Sequence, residues 1–335
     1  IGAARGQEMN FCVSVCVQII LAGSLLGSTG QKPDPAALLE GYNLCNKEFE
    51  TIACDLESES QSERGRIVLT VRHCRNQDKV QWVGHRASFR AQVDPQSVVP
   101  QRVANTYDGA QLASLYYDFS PKFPNVPPAG QVFRRAGGLL TEIRQGWGES
   151  IEYGGPLVGK VSGSNNHSVY DLLREASNVS MREDATKILD YDAYLLEAKT
   201  QYGVVRAWIS PDAGNNCLKW EILKTQTQFY RDGAITDDQF THLAAAYDVE
   251  RIERVDGRYV TTQAKCSYIV KEGVKELSNS TQRYKLTNID FDPDYEAMGA
   301  FKIQLPEGTI VGDGDFPDAG VRYRWTGDRL VPVLY

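Results

Sequence analysis

Four histidines and a few runs of alternating carboxylates are the groups whose type and spacing could do acid–base, nucleophilic or metal chemistry. His73 and His85 fall on two strand-like runs flanking one turn, so a shared acid–base pair is their sharpest reading. No adjacent nucleophile or carboxylate pattern completes such a site, and two surface histidines are the reading adopted. His167 and His242 stand apart from any motif. Asp290, Asp292, Asp294 and Glu296 begin like a calcium loop, which needs glycine at its sixth place and a bidentate acid at its twelfth. Tyr295 and Phe301 occupy those places, so the run reads as a wet turn, as do Asp313, Asp315 and Asp318. There is no G-x-S-x-G, H-E-x-x-H, P-loop or G-x-G-x-x-G. The expectation is a chain without catalyst, cofactor or metal.

Function must then come from shape, and the elements that set it are β-type. In Tyr202–Leu223 two runs, Val204–Ile209 and Cys217–Leu223, flank the turn-forming Ser-Pro-Asp-Ala-Gly-Asn-Asn. Trp208 beside Arg206, and Trp220 between Lys219 and Glu221, mark a hairpin with one dry face and one wet face. Further strands are read at Thr51–Ser60, Arg66–Arg75, Lys79–Ser88, Gln101–Tyr107, Ala110–Phe119 and Thr186–Thr200. Gln226–Arg231, Val249–Val255, Arg258–Lys271, Val274–Ile289, Phe301–Val311 and Val321–Leu330 follow. Asp108-Gly109, Asp256-Gly257 and Glu272-Gly273 are the turns between neighbours. Helices are expected at Ala36–Phe49, with Asp34 as N-cap, at Gln131–Gln145 and Ser168–Ala176, and from Thr236 through Ala246. The proline-rich loop 120–130 and the glycine-rich stretch 146–163 form an insertion, at about 120–180, where a lid would sit.

Composition bounds the rest. Over 335 residues the net charge is −7, which argues against a nucleic-acid partner. The basic residues between Arg64 and Arg102 read as a solvated sheet face. After Met9 an apolar run ends in Ser28-Thr29-Gly30, the pattern of a secretory signal peptide cleaved before Gln31. Residues 1–8 are then a spurious upstream extension, and the alternative is an uncleaved membrane anchor. Export removes Cys12 and Cys16, leaving Cys45, Cys54, Cys74, Cys217 and Cys266. No CxxC occurs, so zinc is not expected, and an odd number leaves at least one free thiol whatever disulfides form.

The fold expected is mainly β (α+β): a single domain over 31–335, built on a curled antiparallel sheet or incomplete β-barrel. Helices cap or fill its concave face. A sheet too wide to fill with its own side chains leaves an apolar hollow. Ile67, Leu69, Val71, Val80, Trp82, Leu112, Tyr116, Val205, Trp208 and Trp220 are its candidate lining.

Four stretches, in this order, resemble the outer-membrane lipoprotein-sorting (LolA-like) family. Gly65-Arg-Ile-Val-Leu-Thr70 with Lys79-Val-Gln-Trp82 is similar to its early strand pair, and Asn105-Thr-Tyr-Asp-Gly109 through Leu115-Tyr-Tyr-Asp118 to the next hairpin. Val204–Ile222 is similar to its tryptophan-containing hairpin, and Phe301-Lys-Ile-Gln-Leu-Pro-Glu-Gly308-Thr-Ile-Val311 to its closing segment. The resemblance implies an incomplete barrel holding acyl chains: a non-catalytic periplasmic carrier of lipids or lipidated proteins. It also implies loading by an inner-membrane ABC transporter and delivery to an outer-membrane acceptor. The competing readings are a cell-envelope structural or interaction protein with a filled core, and an enzyme of unrecognised type.

Overall fold

The computed structural model describes residues 32–62, 65–77, 79–90, 101–107, 112–118, 129–133, 167–225, 229–230, 233–234, 242–272, 275–302, 305–313, 322–327 and 329–333. The first element is helix α1 (Pro35–Glu48), with proline at the tolerated first position. Its N-cap Asp34 accepts a hydrogen bond from the Ala37 amide at 3.0 Å. Three long strands follow: β1 (Thr51–Ser62), β2 (Gly65–Asn76) and β3 (Lys79–Arg90). Next come β4 (Gln101–Tyr107), β5 (Leu112–Asp118) and β6 (Ala129–Phe133). Helix α2 (Val169–Glu175) carries a capping box in which Ser168 and Asp171 satisfy each other's backbone amides. Beyond it lie β7 (Val179–Met181), β8 (Thr186–Ile188), β9 (Tyr191–Thr200), β10 (Gly203–Ser210) and β11 (Asn216–Thr225). A small pair, β12 (Phe229–Tyr230) and β13 (Gly233–Ala234), stands apart from the main sheet. The chain then makes β14 (His242–Val255), β15 (Arg258–Glu272) and β16 (Lys275–Asp290), and ends in β17 (Ile310–Asp313), β18 (Arg322–Trp325) and β19 (Leu330–Pro332).

All strands but β12 and β13 belong to one 17-stranded sheet. Pairing runs β19–β18–β17–β6–β5–β4–β3–β2–β1–β16–β15–β14–β11–β10–β9, with β7 and β8 both on the far side of β9. Every pair is antiparallel except β6–β17. Among the described strands the sheet is not closed, yet β11 and β15 touch across β14, so it curls there. Asp256 (φ 51°) and Gly257 (φ 81°) both take positive φ. This is the type I′ turn that matches the strand twist of β14–β15.

Four expectations about elements give way. Thr186–Thr200 is a hairpin rather than one strand, because Leu189 (φ 50°) and Asp190 (φ 66°) make a two-residue turn without glycine. Positive φ at both central positions suits such a turn whatever the residue. His242–Ala246 is strand, paired to both β11 and β15, although Leu-Ala-Ala-Ala are helix formers. Gln131–Phe133 is strand paired to β5 and β17, and the rest of 134–145 lies outside the described residues. The expected strand Phe301–Val311 begins only at Ile310, turns being the described structure before it.

Alternation sorts the strands into two faces. One face carries the main core, a cluster drawing on β1–β4, β9–β11 and β14–β16 together with both helices. From α1 come Leu38, Tyr42 and Cys45, and from α2 Val169, Leu172 and Leu173. The other face is covered in one place by 295–301, where Ala53, Cys74 and Ala300 meet Tyr295 and Phe301. There Gln81 donates to Thr106 Oγ1 and accepts from the Phe301 amide, tying that segment across β3 and β4. Among the described residues, no helix is long and apolar enough to cross a membrane. The signal peptide read at the N-terminus and most of the 120–180 insertion lie outside them.

Candidate functional site

The helix-bearing face is the candidate site. By register Leu196, Ala207, Trp220, Tyr247 and Cys266 stand side by side across five strands. Leu56, Val71, Gly84 and Val103 do so across four more. Trp220 is fully buried and stacks on Tyr247, ring centroids 5.8 Å apart at 11°. Such a stack adds to what area burial alone contributes. The Trp220 Nε1–H has no hydrogen-bond partner among the described residues. Helix α1 lies close over this floor: a Cβ on Gly41 would sit 2.7 Å from Asn215 Cγ. Glycine therefore sets the approach of the helix to the β10–β11 turn. Burial pushes the Tyr42 and Tyr247 hydroxyls well above their ordinary pKa.

Of the candidate lining residues, Leu69, Val71, Trp82, Val205 and Trp220 are buried in this one core, and Val80 is packed against it. Ile67 is half-buried on β2. Leu112 and Tyr116 pair in register with Tyr107 and Val103, but their side chains lie outside the described residues. Trp208 has to be moved to the opposite face. It stands an odd number of positions from Val205, and alternation puts the two on different sides. It packs with Ala193, Ala213 and Leu218, under the Lys219 ammonium at 5.1 Å. That outer face is the wet one: Arg206 bridges Glu197 (2.5 Å) and Glu221 (3.8 Å), and Lys219 bridges Glu221 (2.9 Å) and Asp248 (3.7 Å).

His73 and His85 do not form a pair. His73 faces the core beside Trp82 (ring centroids 5.8 Å), whereas His85, opposite Thr70, is exposed. Burial and the nearby Arg75 and Arg72 lower the His73 pKa to about 3. Its Nδ1 is buried with no hydrogen-bond partner among the described residues. Among the described residues no group of three His, Cys, Asp or Glu is placed to hold a metal. The five described cysteines are separate buried thiols. Burial lifts Cys45, Cys54, Cys217 and Cys266 to about 12.

One residue of this face goes beyond the sequence reading. Lys224 is 2% exposed at the end of β11, on the same alternation as Trp220 and Ile222. Its ammonium lies 5.7 Å over the Tyr202 ring, and Tyr202 in turn meets the His167 ring at 5.3 Å. His167 Nδ1 is 3.6 Å from Glu175. Gly203 (φ 129°) makes room, since a Cβ there would sit 2.3 Å from the Leu223 carbonyl oxygen and 3.2 Å from Lys224 Cγ. Only glycine takes that backbone angle without strain. Desolvation lowers the Lys224 pKa to about 8. Carrying the two-residue alternation one step past Ile222 points to it.

Two crevices have described linings. One, of about 520 Å³, opens between α1, α2 and β2 and is lined by Glu40, Lys47, Glu50, Arg75, Asp171 and Arg174, among others. The second, of about 280 Å³, lies where Glu57, Glu59 and Glu250 meet Arg283 and Lys285. Charged and polar residues make up most of both linings, and none of the candidate lining residues borders either.

No family model matches the chain, and no curated protein does. Solved structures with some likeness include a DUF1329 family protein from Desulfovibrio piger. It is 13% identical, with 78% of this chain and 95% of that one covered, at a TM-score of 0.33. The MucA/MucB complex of Pseudomonas aeruginosa is 8% identical, covering 75% and 94%, at a TM-score of 0.19. At such scores the likeness decides nothing about function.

Proposed function

We propose that the chain is a non-catalytic periplasmic carrier or binding protein for the acyl chains of lipids or lipidated proteins. Its partners would be an inner-membrane ABC transporter that loads it and an outer-membrane acceptor that unloads it. The observation that carries the reading is the width of the apolar floor. Ten consecutive strands, β4 through β9 in sheet order, place buried apolar side chains on one face. At about 4.8 Å per strand that is roughly 43 Å, against about 10 Å for each helix laid on it. α1 packs on β7, β10 and β11, and α2 on β9 and β10, while the same face carries buried apolar side chains as far as β4.

The energetics favour exchange. A dozen methylenes hidden from water contribute roughly 10 kcal/mol at ~0.8 each. Lifting α1 uncovers Leu38, Tyr42 and Cys45. Each large side chain so uncovered costs about 1.5–3 kcal/mol. The two sums are comparable, so an acyl chain can replace the helix on the floor, and release needs a partner rather than bond chemistry.

A second reading, an interaction protein with a filled core, draws on the stacking of Trp220 on Tyr247 and on the charged and polar residues that make up most of both crevice linings. Native mass spectrometry after gentle extraction from the cell envelope separates the two. Co-purifying lipid or lipidated peptide supports the carrier. A clean apo mass, under conditions where a known lipid carrier keeps its lipid, supports the filled core.

A further inference from the structure

Three elements converge on the crevice of about 520 Å³. From α1 come Glu40, Asn43 and Lys47, whose spacing places them on one side of the helix. The Glu50 amide donates to the Lys47 carbonyl at 3.0 Å, a turn of 3₁₀ type that keeps Glu50 on the same side as Lys47. From β2 comes Arg75, on the alternation of Val71 and His73. Its Nε donates to the Gln77 carbonyl at 3.3 Å, and the Gln77 amide donates to the Glu50 carbonyl at 2.6 Å, so the end of β2 is tied to the end of α1. From α2 come Tyr170, whose hydroxyl donates to Glu40 at 3.4 Å, and Arg174, whose guanidinium lies 5.3 Å over the Tyr170 ring.

The charges around the second crevice neutralise one another: Glu57 with Lys285 at 3.5 Å, Glu59 with Arg66 at 2.7 Å and Glu250 with Arg283 at 3.4 Å. Around the first, Arg174 pairs with Asp171 and Glu175, each at 3.3 Å. The Lys47 ammonium, the Glu50 carboxylate and the terminal amino groups of Arg75 enter no hydrogen bond or ion pair among the described residues. Glu40 accepts from Asn43 at 3.2 Å and from Tyr170, both neutral. Two positive and two negative charges are thus left uncompensated around one hollow. A bare anion is attracted by Lys47 and Arg75 but repelled by Glu40 and Glu50, and a bare cation meets the reverse. A ligand carrying both signs answers both sets.

We propose that this crevice binds a small zwitterion, its phosphate or carboxylate held between Lys47 and Arg75 and its ammonium by Glu50. Lys47 and Glu50 stand about 4.5 Å apart along the axis of α1, which suits a ligand whose two charges are separated by one or two carbons. Amino acids and aminoethyl phosphates are of that class. Glu40, at the far end of the stripe, disfavours anions that bring no positive charge. Charge-assisted hydrogen bonds at both ends fix the orientation of the ligand. The inference does not rest on the carrier reading, because none of the candidate floor residues borders the crevice.

Calorimetric titration at neutral pH and low salt compares glycerophosphoethanolamine and alanine with glycerol 3-phosphate, which lacks the ammonium, and ethanolamine, which lacks the anion. At least one of the two zwitterions is expected to bind about tenfold or more tightly than either half-ligand. Lys47→Gln and Glu50→Gln, both at exposed positions, should each remove most of that margin, and Lys199→Gln on β9 should leave it. A margin for glycerophosphoethanolamine alone names phosphate as the anion, for alanine alone carboxylate, and for both charge separation itself. Dihexanoylphosphatidylethanolamine binding more tightly than glycerophosphoethanolamine assigns the group to a lipid head, and any other order assigns it to a free solute. Zwitterions that fail to bind, or bind no more tightly than the half-ligands, overturn the inference, as does a margin that survives Lys47→Gln. Wild type supplies a readout that needs no variant: the margin must shrink as salt is raised to about 0.5 M, and one that persists unchanged also overturns the inference.

Discussion

Trp220 offers the sharpest test of how the floor is made, because two effects of opposite sign meet in one side chain. The ring occupies a fully buried site. Trp220→Ala removes all of it and is expected to cost about 3–5 kcal/mol. Trp220→Phe removes roughly 40 Å² of apolar surface, about 1 kcal/mol at ~25 cal/mol per Å², and leaves a small void worth about as much again. It also removes an indole N–H buried without a described partner. That removal relieves about 1–3 kcal/mol. The phenyl ring keeps its stack on Tyr247. The terms nearly cancel, so Trp220→Phe should lie within about 1 kcal/mol of wild type. Urea unfolding followed by circular dichroism measures both variants without using the fluorescence of the residue that changes. A phenylalanine variant as unstable as the alanine variant would refute the reasoning, because the N–H would then hold a bond that matters.

Gly84→Ala should destabilise the sheet by several kcal/mol, because only backbone movement could relieve the clash it makes. Its Cβ would fall 2.0 Å from the Thr70 carbonyl oxygen on β2. A thermal midpoint unchanged from wild type would show that β2 and β3 are not so close. His73 has its folded pKa lowered from 6.5 to about 3. It therefore favours folding above about pH 6.5, and that contribution is lost as pH falls towards about 3 because the unfolded chain takes up the proton first. His73→Gln should therefore flatten the stability curve across that range in denaturant titrations. Peptide-level mass spectrometry after a short iodoacetamide pulse should find Cys45, Cys54, Cys217 and Cys266 unlabelled in the native state and labelled in urea. Rapid native labelling of any of them would contradict the burial described.

Hairpins are the legible part of this chain. The β10–β11 and β14–β15 pairs announce themselves by alternation and by turn residues whose positive φ the turn requires. Helix α1 is equally readable, since Asp34, Pro35 and the spacing of Leu38, Tyr42 and Cys45 all point to one start and one buried stripe. Where neighbours rather than local preference decide, the pattern misleads: Ala244–Ala246 are strand because β11 and β15 flank them. The Leu189–Asp190 turn has no glycine to betray it. At the site, alternation picks out Leu69, Val71, Trp82, Val205 and Trp220 as members of one face, but Trp208 breaks the very rule used to choose it. Lys224 hides because its charge suggests solvent, whereas burial depends on which side of the strand a residue falls. Whether such a face is packed or hollow depends on volumes across many strands, which no local pattern records.

The seam between β1 and β16 joins residues far apart in the chain, as Gln282 and Ser58, 224 positions apart, hydrogen-bond side chain to side chain within it. Until the last third of the chain emerges from synthesis, β1 presents an unpaired rim of amides and carbonyls. Closing that long loop is slow, so the nascent protein must pass through a stage at which a foreign strand could take the place of β16. The same open rim is a hazard for any truncated product and a natural point of attachment for an escort that holds the chain until its own end arrives.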